Sequence, residues 1–309
     1  MQRQALLSPQ SCTRFTALIL GLVIFGLAFS LRARPSLPLP GWHALTMEVE
    51  PALVVKIQVD PQKGSEALPH LAEYPDSLKP DPAETLYHLT VETRLKWFLS
   101  SKSWLGELWF RPDLSALQRT RLKSGKSRNF KLYRYAENRV YRVRRRPDKQ
   151  APTPDPLRWP IENERVYEFP PPAVGRCSKI TDPYALLLRL SQGTFDKPEK
   201  LCVFNKKTIY EVTLRREGVQ RMRVHYRLGG KSVEASVKAE KITLLPRLMG
   251  KKPHDATEPF ELLGMEGDIT ALIDPRHHLP LQFEGKVPGF GQAKLKLTEV
   301  KPRLQPAPN

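Results

Sequence analysis

Three cysteines in 309 residues are too few for a scaffold built on disulfides. C-x-x-C, H-E-x-x-H, a Walker loop and a G-x-S-x-G elbow are all missing. Their absence removes the common redox, zinc-hydrolase, phosphate-transfer and serine-hydrolase signatures. Acid is scarce, with 32 Asp/Glu against 50 Lys/Arg and a net charge of +18. That excess suits anionic lipid headgroups, anionic glycans or nucleic acid. Helical periodicity is nearly absent, and no internal repeat is visible. What remains is short, alternating and punctuated by 30 prolines. Such a chain is expected to be mostly β.

One long uncharged run exists, residues 15–31 (FTALILGLVIFGLAFSL), from Phe15 to Leu31. Arg3 and Arg14 precede it, and Arg32 and Arg34 follow. Its length fits two readings, a signal peptide cut near Ala28-Phe29-Ser30 or an uncleaved membrane anchor. The arginines that follow and the length favour the anchor. Either reading places the body outside the cytoplasm. Residues 1–34 are therefore set apart as signal or anchor. A stiff PSLPLP spacer opens residues 35–83, read as linker plus a first strand, VVKIQV.

From Glu84 the pattern is β. Tyr87, Leu89, Val91, Thr93, Leu95 and Trp97 share one strand face, and His88, Thr90, Glu92, Arg94 and Lys96 the other. Such alternation marks an antiparallel sheet with one buried and one wet face. Residues 130–145 (FKLYRYAENRVYRVRR) read as a hairpin turning at Ala136-Glu137-Asn138. Later, Tyr210, Val212 and Leu214 alternate, then Met222, Val224 and Tyr226, with Arg216-Glu217-Gly218 as the turn between them. Residues 232–245 change phase, odd apolar positions giving way to even ones. A β-bulge near Glu240-Lys241 is the expected cause. Asp274 to His278 and Val287 to Gly291 are the last turns. Residues 84–300 thus form a large curved antiparallel sheet or half-barrel, with 301–309 as tail.

The helix candidate lies between Cys177 and Cys202. Asp182-Pro183 is an N-cap followed by proline at the first helical position. The leucines after it predict one short helix covering the sheet. In an oxidising compartment the two flanking cysteines are expected to pair.

Few residues suggest chemistry. His277 and His278 are adjacent and so point to opposite faces of a strand, and Asp-Pro opening that turn is ordinary turn chemistry. No metal, cofactor or catalytic group is expected, and the chain reads as non-enzymatic. Arg142, Arg144 and Arg145 interleave with tyrosines and form a candidate basic surface. Export makes an anionic lipid or envelope polymer the expected partner there, and nucleic acid not.

The second half resembles a bacterial envelope family catalogued as domain of unknown function 3108. Thr181-Asp182-Pro183-Tyr184, Phe204 onward to Tyr210-Glu211-Val212, and Phe260-Glu261-Leu262-Leu263-Gly264-Met265-Glu266-Gly267 carry the resemblance. Ile273-Asp274-Pro275, Leu279-Pro280-Leu281 and residues 285–297 complete it. The resemblance implies a secreted or membrane-tethered β-rich protein, similar to the half-barrel of periplasmic lipoprotein carriers. It brings no catalytic residues. The expected function is binding or carrying an apolar or lipid-like ligand on the concave sheet face. Tyr184, Leu187, Tyr210, Val212, Leu214, Met222, Val224, Tyr226 and Phe283 are the expected lining. The alternatives are an assembly protein using the basic hairpin and, at a distance, a hydrolase of envelope polymers.

Overall fold

The computed structural model describes residues 37–303 except 51, 98–99, 126, 149–153, 193–194 and 251–258. The apolar run at 15–31 lies outside the described residues, as do residues 304–309 of the expected tail. The first strands are β1 (Trp42–Val49), β2 (Leu53–Lys63), β3 (Thr85–Trp97), β4 (Ser100–Phe110) and β5 (Ala116–Ser124). Then come β6 (Asn129–Tyr135), β7 (Arg139–Arg145), β8 (Ile161–Glu168), β9 (Glu199–Asn205) and β10 (Thr208–Leu228). The last are β11 (Lys231–Leu248), β12 (Glu261–Leu262), β13 (Met265–Asp274), β14 (Leu279–Val287) and β15 (Gly291–Pro302). Among the described residues three short α-helices interrupt them, α1 (Gly64–Ala67), α2 (Pro171–Arg176) and α3 (Ala185–Gln192), with 3-10 turns at Leu68–His70 and Pro156–Arg158. The protein is mostly β, as its alternation predicts.

The strands form one sheet in the order β8-β7-β6-β5-β4-β3-β2-β1-β15-β14-β13-β11-β10-β9, with β12 beside β13. Neighbours along this path are antiparallel. The sheet curls until its two ends meet. Phe204 of β9 lies 5.8 Å, ring to ring, from Tyr167 of β8. Tyr133 and Tyr135 of β6 flank the same ring at 6.2 and 6.1 Å. Side chains rather than a hydrogen-bonded ladder join the ends here.

The interior is filled. Leu186, Leu187, Leu188 and Leu190 of α3 are buried and join one cluster with Met47, Val55, Leu89, Leu108, Leu244 and Phe283. The expected cover of the sheet is thus a plug inside it. Two smaller apolar clusters sit elsewhere, one around Trp109 and Leu117, the other around Trp159 with Phe130 and Leu132.

Several expectations are corrected. β1 and β2 lie in the middle of the sheet, so the compact body begins at Leu37 rather than at 84. β15 continues to Pro302, which pairs with Trp42, so the first positions of the expected tail are strand. The polar β8 forms because it completes the ladder of β7, not because one of its faces is buried. Arg216-Glu217-Gly218 is no turn, since β10 runs unbroken through it for 21 residues. The register slips there instead, Arg216 facing Ile242 and Gly218 facing Lys241, which leaves Glu217 as a bulge. Gly218 takes φ of +132°, a conformation that side-chain-bearing residues rarely adopt.

Cys177 and Cys202 form a disulfide, their Cα atoms 5.8 Å apart. It ties the segment entering α3 to β9, where the Thr181 amide donates to the Cys202 carbonyl and the Phe204 amide to the Thr181 carbonyl. The bond closes a loop of sequence separation 25. The pair Cys177→Ala and Cys202→Ala is therefore expected to lower unfolding free energy by about 3 kcal/mol. Urea titration of variant and parent, with and without reductant, measures it. Equal midpoints would mean that the ladder alone holds α3 in place.

Candidate functional site

The bulge at Glu217 explains the phase change in β11 differently from the bulge expected at Glu240-Lys241. β11 pairs without a slip through that point. Side chains alternate strictly along an unbulged strand. Ile242 and Leu244 therefore stand on one face of β11, and Val233, Val237 and Ala239 on the other. On β10, Leu214 opposes Leu244 whereas Met222 opposes Val237 and Tyr226 opposes Val233. The apolar side thus changes faces at the bulge. Before it, the ribbon serves the interior. Beyond it, residues 219–240 form an arm whose apolar side is the reverse one.

That reversal has a partner. Along β13, Ala271, Leu272, Ile273 and Asp274 are all buried, and along β14 so are all residues from Leu279 to Phe283. A strand buried on both faces needs a cover on each. The core covers Ala271, Ile273 and Phe283. The arm covers the other side, folding back over Leu272 and Gln282. Its end docks on β15, where Arg227 and Leu228 pair in parallel with Glu299 and Val300. The Gly229 amide donates to the Val300 carbonyl at 3.0 Å.

Between arm and sheet lies a groove of about 1390 Å³. Met222, Val224 and Tyr226 line it from the arm, and Leu272, Leu281 and Leu297 from the sheet. Thr298, Gln282, Glu48 and Lys296 add polar groups. Burial, with the Asp274 carboxylate adding to it, pushes the Tyr226 phenol above its ordinary range, so it stays neutral. The groove can hold an apolar molecule and offers a few polar groups at its margin.

Of the expected lining residues, the structure brings Met222, Val224 and Tyr226 to this groove. Leu187, Tyr210, Val212, Leu214 and Phe283 are instead core. Tyr184 packs against that core, and its ring comes so close to Gly106 that a Cβ there would lie 2.7 Å from it. These six are spent on packing because α3 fills the concave side. Leu272 and Gln282 escaped the pattern reading, which followed alternate positions. The unbroken apolar runs around them were the available signal.

The basic hairpin is spoken for. Arg142 donates to the Tyr167 hydroxyl at 3.2 Å, and Arg145 to the Trp159 carbonyl at 2.7 Å. Arg144 pairs with Glu162 at 2.8 Å. All three hold β8 and the segment leading to it. In the last turn, the His277 ring meets Asp274 at 2.6 Å, and the Arg276 amide donates to the same carboxylate. Among the described residues, no group of three or more His, Cys, Asp or Glu is placed to hold a metal ion.

A second polar centre lies in the interior. Asp182 has no exposed surface. Its carboxylate accepts from the Tyr135 hydroxyl at 2.7 Å and the Tyr184 amide at 3.0 Å, and pairs with Arg119 at 3.0 Å. The Arg119 guanidinium also lies over the Tyr133 ring, 4.4 Å from its centroid. Burial pushes the guanidinium down, but Asp182 and the surrounding tyrosines hold it above its ordinary value. A carboxylate so enclosed and so fully partnered positions α3; it offers no face to a substrate.

No protein-family model matches the chain, and no curated protein matches it. Among solved structures, a β-barrel-like protein of domain of unknown function DUF1849 from Brucella abortus is similar to it. The likeness covers 86% of this chain and 99% of that one, at 8% identity and a TM-score of 0.44.

Proposed function

We propose that this chain is a non-enzymatic protein of the bacterial cell envelope that binds or carries an apolar, lipid-like molecule in the groove beneath its arm. The groove itself carries the reading. It is larger than the 300–1,000 Å³ typical of small-molecule pockets, and apolar side chains line both its walls. The apolar side of the arm is turned towards it, although a solvent-facing ribbon would gain nothing from such a side. The envelope setting rests on the segment at 15–31 and on the family resemblance.

Native mass spectrometry after mild extraction tests the reading. The parent protein is expected to retain a lipid-like adduct. Met222, half-buried on the arm, gives the matching variant. Met222→Glu is expected to lose the adduct while its urea midpoint stays close to that of the parent. Repeated absence of any adduct from the parent, with no stabilisation by added lipid, would remove the reading.

A further inference from the structure

The other face of the arm is basic and exposed. Arg221, Arg223, His225 and Arg227 are exposed and alternate along β10 with Met222, Val224 and Tyr226, although Arg223, His225 and Arg227 also border the groove. Arg227 pairs with Glu299 at 3.4 Å, and His225 stands across from Glu234. Arg221, Arg223 and Lys238, with Lys231 at the tip, have no ion-pair partner among the described residues. Arg221 and Lys238 stand directly opposite each other. Like charges in that position destabilise a ladder unless an external anion compensates them. One exposed apolar residue, Val219 at 54% exposure, shares this face with the cations.

We propose that the outer face of the arm lies against an anionic lipid surface. Cations beside an exposed aliphatic side chain suit headgroups and the apolar boundary beneath them. A polyanion in solution would use the cations and leave Val219 in water. The position of the tip favours the same occupant. A Cβ on Gly229 would lie 3.8 Å from Pro302, the residue paired with Trp42 at the start of β1. The arm therefore ends where the chain enters the sheet. From Leu31, the end of the uncharged run, to Trp42 the chain can span at most roughly 35 Å. A membrane holding that run is within reach of the arm.

The test uses the full chain on vesicles of phosphatidylcholine, alone or mixed with phosphatidylglycerol, and follows amide hydrogen exchange over residues 219–240. An apolar segment would enter both kinds of vesicle, so the comparison isolates the arm. Exchange in the arm is expected to slow about tenfold or more on the anionic vesicles relative to the neutral ones, and high salt to erase the difference. Near a surface each cation contributes roughly a fivefold preference for the anionic state. Arg221→Gln with Lys238→Gln should therefore reduce the difference by up to about thirtyfold, bringing the ratio close to one. Both side chains are exposed, so folding is expected to survive, and retention of a groove adduct should not change. Equal exchange on the two vesicle types overturns the proposal. So does a variant that behaves as the parent, or protection conferred by a soluble polyanion and not by vesicles.

Discussion

Asp182→Ala is expected to lower unfolding free energy by about 3–5 kcal/mol, read as a fall in urea midpoint at unchanged slope. Three bonds end on that carboxylate, from Tyr135, Tyr184 and Arg119. Their loss is only part of the cost. Arg119 would keep its charge in a site where its side chain is 9% exposed, with no carboxylate to face. An uncompensated buried charge is among the most expensive defects a core can carry. A second variant separates charge from shape. Asp182→Asn keeps the shape and one acceptor oxygen for the helix entry but removes the charge that faces Arg119. Adding Arg119→Met removes the stranded charge, and the pair should then recover to within about 2 kcal/mol of the parent. If the double variant is as damaged as the two single losses added together, the ion pair is not what holds α3 in the sheet.

Asp182 also shows how far the sequence reaches. Asp182-Pro183 announced a helix start, and a turn there leads into α3 at Ala185, with the Asp182 carboxylate accepting from the Tyr184 amide. Nothing local announced Arg119 or Tyr135, because strand residues from distant positions meet Asp182 only once the sheet has curled. Alternation located the strands from β3 onward, since period-two patterning records one buried face. It failed at β8, where no face is buried, and at β1, whose HALTMEV alternates too briefly before a turn. The most informative failure is the arm. Met222, Val224 and Tyr226 share the even numbering of Tyr210, Val212 and Leu214, and across a turn at Arg216-Glu217-Gly218 they read as lining the same concave face. A single bulge residue, Glu217, reverses them. Parity counts faces correctly only while register holds. The phase change in β11 recorded the reversal faithfully, and it becomes legible once β11 is known to run without a slip.

One polypeptide ribbon therefore presents two surfaces of different chemistry. Its apolar side roofs the groove and its basic side faces outward, and both rest on the slight attachment of its end at Arg227 and Leu228 to β15. Two residue pairs, the Arg227–Glu299 ion pair and the Gly229 amide attach that end, and the arm's ladder otherwise runs between β10 and β11 until Glu240 meets Ile273 of β13. The opposite side of the body is fastened quite differently.

There, Arg134→Met is expected to cost about 4 kcal/mol and to release one loop selectively. Arg134 is 1% exposed and has no carboxylate partner among the described residues. Its guanidinium donates to the backbone carbonyls of Ala72, Leu78 and Leu117, stitching the loop after α1 to β5. Gln118 reinforces the seam, accepting from the Ala72 amide and donating to the His70 carbonyl, both at 2.8 Å. Burial, with some help from Arg111, pushes the guanidinium down to about 10, so it remains protonated at neutral pH. Methionine would fill much of the volume and leave three carbonyls unsatisfied, each costing about 1–3 kcal/mol where water cannot reach. Arg134→Lys should recover less than half of the loss, because one ammonium cannot span three acceptors that a planar fork reaches together. Hydrogen exchange locates the damage: amides of residues 71–78 are expected to exchange faster while those of β13 and β14 keep their protection. A uniform loss of protection would instead make Arg134 part of the global core, and a loss below about 1 kcal/mol would mean that the loop is held by Trp109, Leu71 and their apolar neighbours alone.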